Sequence, residues 1–541
     1  MSLVKNQEIQ LHIDGVTSEG SGVGRYDGQA VFVANSFIGD ELLVHIIKAK
    51  KTYAVGKIVK IIKPSEDRIE IDCPYFSQCG GCVYRHINYE AEKRIKTAKV
   101  KDAFLRLAHL DVPVKEIVTC DSIRYRNKAE YPVSRELNGV NIGFYANRTH
   151  RIVDSQDCLL QPKEFANIVE SIREWIFNNH ITTWNSENCE GLLRHIYIRK
   201  GFSSGEIMVC LVVTSENVPN IDELVATLKE INGVMSISLN INNENTNVIL
   251  GDKVKIIWGN EKITDTLCGV KIELSPLSFY QVNHDCAELL YGKAKEYAGL
   301  TGMETVIDLY CGAGTIGLSM AHDAEKIIGI EIIPEAIEDA KRNAKRNGID
   351  NAEFYCMDAK DAVKMLSDKG IKPDVVLLDP PRKGCDETVL SFVAEMEPQR
   401  IVYVSCDVST QSRDCAILKT LGYETKEVTP VDMFPRTSHV ETVVQLVRKK
   451  PDTYIDITVD MDELDLTSSE AKATYEEIKD YVFEGFGLKV SSLNIAQVKT
   501  KCGIIERENY NKPKSENVKQ PQCTKDKEEA IMSALRHFKM I

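Results

Sequence analysis

Two residues in the second half of the chain combine a nucleophile with a base. The stretch YVSC (403–406) places Cys406 at the end of an apolar run, and Glu441 follows thirty-five residues later in MFPRTSHVETV (433–443). A thiolate forms covalent intermediates, and a carboxylate at the same centre can remove the proton that such an adduct carries. A buried structural role is the alternative for any single cysteine. The apolar neighbours of Glu441 argue against a mere surface charge there.

A glycine-rich segment earlier in the chain has the pattern of a nucleoside-binding loop. Gly312, Gly314 and Gly317 form G-x-G-x-x-G between a predicted strand and a predicted helix. Asp308 ends that strand, and Glu331 ends the next one 23 residues further on, where a carboxylate can accept hydrogen bonds from ribose hydroxyls. The pattern predicts binding of a nucleoside cofactor, with a plain tight turn as the alternative.

The next two predicted strands bear on the choice between NAD and S-adenosylmethionine. Asp358 follows the third strand, where a carboxylate can reach an adenine amino group. DPPRKG (379–384) follows the fourth strand, and Asp-Pro-Pro at that point is typical of the acceptor side of many methyltransferases. Enzymes that methylate amino groups usually carry an aromatic residue after the prolines, whereas this chain has Arg382. The sequence therefore favours methyl transfer, and not to an amino group.

Carbon 5 of uracil is an acceptor that requires both the thiol and the base. This carbon is too weakly nucleophilic to take a methyl group unaided. A thiolate that adds to carbon 6 produces an enolate, and carbon 5 then attacks the methyl sulfonium. A base must remove the surplus proton on carbon 5 before the thiol can leave. Cys406 and Glu441 are the candidates, because Cys406 ends the fifth strand at the edge of the sheet where ligands bind.

A second group of cysteines has the spacing of metal ligands. Cys73, Cys79 and Cys82 form C-x5-C-x2-C with two glycines between the last two. A closed site requires a fourth ligand, for which Cys158 is the best candidate. The spacing leaves open a 4Fe–4S cluster and a zinc ion. The alternatives for the fourth ligand, which have no local signature, are Cys120 and Cys189.

The elements that must position these residues change in character along the chain. Alternating apolar and polar residues with glycine-rich turns at the N-terminus predict a five-stranded OB-like β-barrel. A strand-rich region with one predicted helix at 162–179 indicates an α+β domain, and regular alternation of strands and helices then indicates a doubly wound, Rossmann-like sheet. The predicted fold is multidomain α/β: a barrel at 1–62, a cysteine-rich segment at 63–110, a central α+β domain at 111–275, a Rossmann-like domain at 276–449 and a helix-turn-helix-like appendage without assigned function at 450–541.

Composition and charge exclude several classes of protein. With 43% hydrophobic and 27% charged residues among 541, the chain has an ordinary globular composition. It has no apolar stretch of membrane-spanning length and no signal peptide at MSLVKNQEIQ, so we expect a cytoplasmic monomer with reduced cysteines and no membrane partner. The net charge is −13, but residues 452–480 contribute ten acids against two bases, and residues 84–101 carry six bases against two acids. A local basic face is therefore compatible with the acidic total.

Four motifs resemble those of the RNA (uracil-5-)-methyltransferase family. They are DLYCGAGTIGL (308–318), LLDPPRKG (377–384), YVSC (403–406) and MFPRTSHVE (433–441). Within the family, the chain resembles most the branch that modifies 23S ribosomal RNA and has an N-terminal TRAM barrel and an iron–sulfur cluster. The resemblance covers about residues 1–448. It implies S-adenosylmethionine as methyl donor, a 4Fe–4S cluster, and a uridine flipped out of folded ribosomal RNA as acceptor.

The same resemblance assigns roles to individual residues. It makes Cys406 the nucleophile, Glu441 the base, and Phe279 and Asp379 the contacts to the target base, which an enzyme must extrude from folded RNA. The family usually has Cys-Asn-Pro or Cys-Asp-Pro where this chain has Cys406-Asp407-Val408, which predicts a looser loop. The implied cluster ligands are Cys73, Cys79, Cys82 and Cys158; the implied donor-contacting positions are Gln281, Tyr310, Glu331, Asp358 and Asp379, beside Asp308, Gly312 and Gly314 of the glycine-rich loop.

Three basic residues are candidates for RNA contacts. Arg124, Arg126 and Lys128 alternate along the predicted strand IRYRNKAEY, in the region where the family binds RNA. They predict phosphate contacts, with a solvated charged face as the alternative. Rival functions are methylation of a transfer RNA uridine or of cytosine carbon 5, and, in a different class, an RNA-binding iron–sulfur protein without turnover.

Overall fold

The computed structural model describes residues 3–136, 139–449, 474–502, 523–538 and 540–541. The chain divides into two compact units, Met1–Asp452 and Thr453–Ile541. Within the described residues, the larger unit contains three sheets of six or seven strands and a separate two-stranded hairpin. A search of the described helices finds none that is both long and apolar enough to cross a membrane.

The N-terminal sheet forms from the alternating segments that predicted a barrel. Its strands are β1 (Glu8–His12), β2 (Gly15–Val16), β3 (Gly22–Tyr26), β4 (Gln29–Val33), β5 (Glu41–Ala49) and β6 (Tyr53–Lys63). Their order in the sheet is β1-β5-β6-β4-β3-β2. The sixth strand, beyond the five predicted, is the two-residue β2. Every second side chain of β1 and of the first part of β5 is buried, which gives the sheet its own core.

Helix α1 (Tyr89–Asp102) follows the cysteine-rich segment and ends in a π-helical turn, Ala103–Leu107. Asn88 caps its start by accepting a hydrogen bond from the Ala91 amide at 2.8 Å. The buried residues of α1 include Glu92 and Lys96 beside two apolar ones. A helix whose inward face carries charges must pack against charged or polar partners.

The central domain is a mixed sheet covered by helices. Its strands are β7 (Lys128–Glu136), β8 (Gly139–Tyr145), β9 (Ile152–Asp154), β10 (Leu193–Lys200), β11 (Ile207–Val213), β12 (Val234–Ile241) and β13 (Lys253–Gly259), in the order β13-β12-β11-β10-β7-β8-β9. A separate hairpin contains β14 (Ile263–Leu267) and β15 (Val270–Leu274). The predicted helix is α2 (Lys163–Asn178); the structure adds the eight-residue α3 (Ile221–Leu228), which is too short to show a clear helical period in sequence.

The Rossmann-like sheet confirms the predicted fold class. Its strand order is β18-β17-β16-β19-β20-β22-β21. The order reverses between β16 and β19, and ligands of such sheets bind at the carboxyl ends of the strands at this switch point. The strands are β16 (Thr305–Leu309), β17 (Lys326–Glu331), β18 (Ala352–Cys356), β19 (Val375–Leu378), β20 (Arg400–Ser405), β21 (Tyr423–Val431) and β22 (Glu441–Arg448); the helices are α4 (His284–Ala298), α5 (Thr315–Met320), α6 (Pro334–Arg346), α7 (Ala359–Asp368), α8 (Glu387–Glu395) and α9 (Val408–Thr420).

The described part of the smaller unit consists of α10 (Tyr475–Phe486), α11 (Ser492–Lys501) and α12 (Lys525–His537). The first two are the predicted pair of helices, each with a capping box at its start, and α12 was not predicted. Buried aliphatic residues of all three helices form one core. The predicted linker NKPKSENVKQPQ (511–522) lies outside the described residues.

Candidate active site

The sheet brings Cys406, Glu441 and Asp379 to one edge. Strands β16 to β20 are parallel, so their carboxyl ends share this edge, and β22 starts from it because it runs antiparallel to β20. Ser405 of β20 pairs with Thr442 of β22, so Cys406 and Glu441 occupy the next facing positions. Asp379 follows β19, the other neighbour of β20. Residues that are far apart in sequence are therefore neighbours in the fold.

Burial and like charges disfavour the ionised forms of the thiol and the carboxyl group at this edge. Burial raises the pKa of Cys406 to about 11, with a contribution from Glu441. Burial also raises the pKa of Glu441 to about 8, and the neighbouring Asp379 adds to the effect. The Glu441 side chain is almost fully enclosed, at 4% exposure. A positive charge at this edge would favour both ionised forms.

Arg382 supplies such a charge and was not assigned a role from the sequence. Its guanidinium lowers the pKa of Cys406 and so opposes the effect of burial. It also acts against the raised pKa of Glu441. In the sequence, Arg382 is informative only because it stands where enzymes that methylate amino groups usually carry an aromatic residue. Its place directly after Asp-Pro-Pro, in the loop that follows β19, the neighbour of β20, was the signal that could have located it.

Asp308 offers an unsatisfied acceptor beside the glycine-rich loop. Its Oδ2 accepts a hydrogen bond from the Gly317 amide at 3.0 Å, while its buried Oδ1 has no hydrogen-bond partner among the described residues. Burial raises the pKa of Asp308 to about 7, and Asp379 and Glu331 contribute. A Cβ at position 317 would lie 2.9 Å from Oδ2, so a glycine is needed there. A ligand that donates an N–H to Oδ1 would remove the cost of the unpaired oxygen.

The glycine-rich loop contains left-handed backbone angles that favour glycine. Gly312 and Gly314 have φ of 54° and 79°, and Gly314 is the N-cap of α5. The Gly312 amide donates to Glu331 Oε2 at 3.2 Å, and two amides after β17 donate to Oε1. Tyr310, also left-handed at φ 67°, has a phenol pKa raised by burial and by Cys385, with a smaller effect of Asp358. The loop, Glu331 and Tyr310 thus line the predicted cofactor edge.

The remaining predicted ligand contacts lie on two loops. Asp358 is exposed and accepts from the Lys360 amide at 2.9 Å, where α7 begins. Phe279 and Gln281 belong to the loop between β15 and α4. The Phe279 ring is 77% exposed, and the Gln281 carbonyl accepts from Asn127 Nδ2 at 2.8 Å. Contact of Phe279 with a target base stays a prediction.

The three basic residues do not share a strand face, which corrects the sequence analysis. Strand β7 begins at Lys128, and Arg124 has left-handed backbone at φ 56°. Arg124 pairs with both oxygens of Asp157 at 2.6 and 2.7 Å and donates to the Cys158 carbonyl at 3.1 Å. Lys128 pairs with Glu130 at 2.9 Å. Arg126 forms a backbone bridge with Asn283, next to the loop of Phe279 and Gln281. RNA contacts of these side chains stay a prediction.

The four predicted cluster cysteines lie within electrostatic reach of one another. Burial raises the pKa of Cys82 to about 11, with added effects of Cys158 and Cys73, and it raises the pKa of Cys79 and of Cys158 with similar contributions from the others. No group of three or more His, Cys, Asp or Glu side chains within the described part of the chain has metal-binding geometry. The thiols are therefore near one another without forming a closed ligand set.

Arg85 tests whether this region fits an anionic cluster. Its Nη1 donates to both oxygens of Asp72 at 2.7 and 2.6 Å, and its positive charge lowers the pKa of Cys82. Its buried Nη2 has no hydrogen-bond partner among the described residues. A cluster held by four thiolates would supply an acceptor for this cation. Among the alternative ligands, Cys120 is disulfide-bonded to Cys286, which departs from the expectation of reduced cysteines, and Cys189 is an exposed free thiol.

The turn after Cys406 differs from the loose loop that the missing proline predicted. Asp407 is the N-cap of α9, and its Oδ1 accepts from the amides of Ser409 at 2.9 Å and Thr410 at 3.1 Å. Val408, at the first helical position, is buried. A capping carboxylate and a buried side chain therefore fix the turn.

Comparisons with known proteins agree with this geometry. The family described as tRNA (Uracil-5-)-methyltransferase matches residues 88–449, and the TRAM domain matches residues 4–59. An uncharacterized RNA methyltransferase of Clostridium tetani is 44% identical over 442 residues, which cover 81% of this chain and 96% of the relative. One of Staphylococcus epidermidis is 41% identical over 455 residues, covering 83% and 100%. The crystal structure of a Pyrococcus abyssi tRNA (uracil-54, C5)-methyltransferase in complex with S-adenosyl-L-homocysteine has 30% identity and a TM-score of 0.66, covering 81% of this chain and 99% of that one.

Proposed function

Because this chain belongs to the tRNA (uracil-5-)-methyltransferase family and is an S-adenosylmethionine-dependent RNA methyltransferase, we propose that it methylates carbon 5 of a uridine in 23S ribosomal RNA through a covalent adduct. The observation that carries the proposal is the facing pair Cys406 and Glu441 at the carboxyl edge of the sheet, with Asp379 and Arg382 beside it. A methyl acceptor that is itself a good nucleophile would need neither the thiol nor the base. The motifs shared with the 23S ribosomal RNA branch, together with the TRAM domain, support ribosomal RNA as the substrate class.

The residues of the glycine-rich edge bind the donor in this mechanism. When bound, S-adenosylmethionine supplies a methyl group on a positively charged sulfur. Glu331 accepts hydrogen bonds from ribose hydroxyls, and Asp308 Oδ1 accepts an N–H of the ligand. Gln281, Tyr310 and Asp358 complete the donor contacts. Phe279 stacks on the extruded uracil, and Asp379 forms hydrogen bonds with the polar edge of this base.

The chain's own residues carry the covalent steps. Arg382 stabilises the thiolate of Cys406, which adds to carbon 6 of the uracil, forming a carbon–sulfur bond and placing the electron pair of the ring double bond on the enolate. Carbon 5 then uses that pair to form a bond to the methyl group, whose bond to the donor sulfur breaks with its electron pair left on the sulfur. The Glu441 carboxylate removes the proton from carbon 5, and the released pair restores the ring double bond as the bond from carbon 6 to Cys406 breaks. The thiolate and a protonated Glu441 remain.

A second candidate substrate is a transfer RNA uridine. It is favoured by the 30% identical Pyrococcus abyssi structure, whose name gives a tRNA uracil as its target. One experiment separates the two: total RNA from cells lacking the gene is incubated with the purified protein and labelled S-adenosylmethionine, and 5-methyluridine is mapped by mass spectrometry. Label in 23S ribosomal RNA supports the proposal, and label in transfer RNA supports the second candidate. Label in 5-methylcytidine, or in no RNA, contradicts both.

We also propose that Cys73, Cys79, Cys82 and Cys158 hold a 4Fe–4S cluster that shapes an RNA-binding surface. The mutual effects of the thiols on their pKa values and the unpaired Nη2 of Arg85 support this. Anaerobically purified protein is expected to contain about four iron and four sulfide per chain. Cys158→Ser should lose most of the iron, whereas Cys189→Ser, at an exposed free thiol, should retain it. One zinc per chain without sulfide would contradict the proposal.

A further inference from the structure

We infer that Lys96 is a positioning residue for Glu441: with Glu92 it holds the loop 432–440, which links β21 to β22, and so sets where the base lies. This inference rests on the proposed function. Val431, the last residue of β21, pairs with Glu441, the first residue of β22. The two ends of the loop therefore meet at the base. A shift of Asp432, directly after Val431, is transmitted to the strand end that faces Glu441.

Lys96 makes three hydrogen bonds from the inward face of α1, two of them to this loop. Its Nζ donates to Glu92 Oε1 and to Asp432 Oδ1, both at 2.7 Å, and to the Phe434 carbonyl at 3.1 Å. The Tyr89 hydroxyl donates to the other Asp432 oxygen at 2.9 Å. Lys96 is 1% exposed and Asp432 is 0% exposed. The start of the loop is thus fixed in direction as well as in distance.

Glu92 and the segment after Cys82 hold the middle of the same loop. Arg436 has left-handed backbone at φ 70°, and its amide donates to Glu92 Oε1 at 2.7 Å. Its carbonyl accepts from the amides of Val83 at 2.7 Å and Tyr84 at 3.2 Å. One carboxylate oxygen, Glu92 Oε1, therefore accepts from both Lys96 and the loop backbone. The cysteine-rich segment contacts the base loop directly.

Loop anchoring by buried charges has a cost that apolar packing would avoid. Lysine and glutamate are rarely fully buried, because desolvation of each ion must be offset by well-placed partners. Here Lys96 faces Glu92 and Asp432, and Arg436 approaches Glu92 at 3.6 Å, so two cations balance two carboxylates. Apolar side chains could fill the same space but could not orient a carboxylate and two backbone groups. The arrangement favours geometric precision over stability.

The two halves of the proposed reaction depend on different strands, so this role predicts a specific kinetic signature. Cys406 follows β20, and its thiolate forms the carbon–sulfur bond without help from the loop. Glu441 follows the loop and acts only in breaking that bond. A misplacement of about 1 Å can cost about 10²-fold in a proton transfer. Displacement of the loop should therefore slow breakdown of the methylated adduct more than its formation.

The experiment measures adduct and product in the same single-turnover reaction. RNA from cells lacking the gene is mixed with the protein and S-adenosylmethionine. The covalent protein–RNA complex is quantified on a denaturing gel, and released 5-methyluridine is quantified by nucleoside analysis. Lys96→Met should raise the ratio of adduct to product at least about tenfold, with the KM for RNA within about twofold of wild type. Tyr89→Phe, which removes only the hydroxyl bond to Asp432, should raise it less. The control Lys101→Met removes the same charge from an exposed position of α1 and should leave the ratio unchanged.

Parallel loss of adduct and product, with an unchanged ratio, would overturn the inference, because a purely structural role predicts that result. An unchanged ratio in Tyr89→Phe, with turnover lowered in proportion, would overturn it even where Lys96→Met fails to fold. Failure of the proposed function itself would be distinguishable: wild-type protein would then form no covalent complex with RNA that contains 5-fluorouridine, whose fluorine cannot be removed as a proton.

Discussion

Cys406→Ala is expected to abolish methylation, with turnover reduced at least about 10⁴-fold, because the acceptor carbon has no other route to the enolate. Binding of S-adenosylhomocysteine should be retained, since the proposed donor contacts lie outside β20 and the turn that follows it. Turnover is measured as label transferred to RNA, and binding by calorimetry.

A matched cysteine tests whether the effect is specific to this thiol. Cys268 lies in the turn of the β14–β15 hairpin, outside the strand edge, and Cys268→Ala should stay within about twofold of wild type. Substantial methylation by Cys406→Ala would contradict a covalent mechanism. So would an equal loss in both variants, because that would indicate general damage to the fold.

Glu441→Gln is expected to trap the methylated adduct on natural, unfluorinated RNA. The amide keeps the size of the side chain but cannot accept the proton on carbon 5, so release of product should slow about 10²–10⁴-fold while adduct formation continues. The trapped complex should carry the transferred methyl label and migrate with the protein on a denaturing gel. Release of product at the wild-type rate would exclude Glu441 as the base.

The same variant should change the dependence of stability on pH. Burial raises the pKa of Glu441 from 4.5 to about 8 in the folded chain. Between these values the folded state binds a proton that the unfolded state has lost, so this group's contribution to the free energy of unfolding falls as pH rises. The glutamine of Glu441→Gln does not titrate, so this variant lacks that pH-dependent contribution. Relative to wild type, its melting temperature should therefore increase from pH 5 to pH 9, and a constant difference would contradict the buried carboxyl group.

Much of the sheet and part of the site could be predicted from local sequence. The apolar runs before Asp308, Glu331, Asp379 and Cys406 are typical of buried parallel strands, and each ends in the residue that lies at the ligand edge. The glycine pattern also has a local cause, because the backbone at positions 312 and 314 is left-handed, which favours glycine. Chemistry and position at a strand end were therefore sufficient to nominate Cys406.

The missed features depend on contacts between distant segments. That Glu441 begins a strand antiparallel to β20 follows from sheet register, which the segment MFPRTSHVE does not encode. Lys96 and Asp432 are 336 residues apart, so the charge pattern of residues 84–101 alone indicated a local basic face. Arg124 was assigned to a strand because the alternation of basic and other residues does not reveal that its backbone is left-handed. Such features require the folded chain.

The most direct test of the central claim is the site of attachment to RNA containing 5-fluorouridine. The protein is incubated with this RNA and S-adenosylmethionine, the complex is digested with nuclease and protease, and the modified peptide is sequenced by mass spectrometry. The account predicts one modified peptide, in which Cys406 carries a 5-fluoro-5-methyl pyrimidine nucleotide. Attachment at another residue, or no attachment by protein that methylates ordinary uridine in the same RNA, would contradict it.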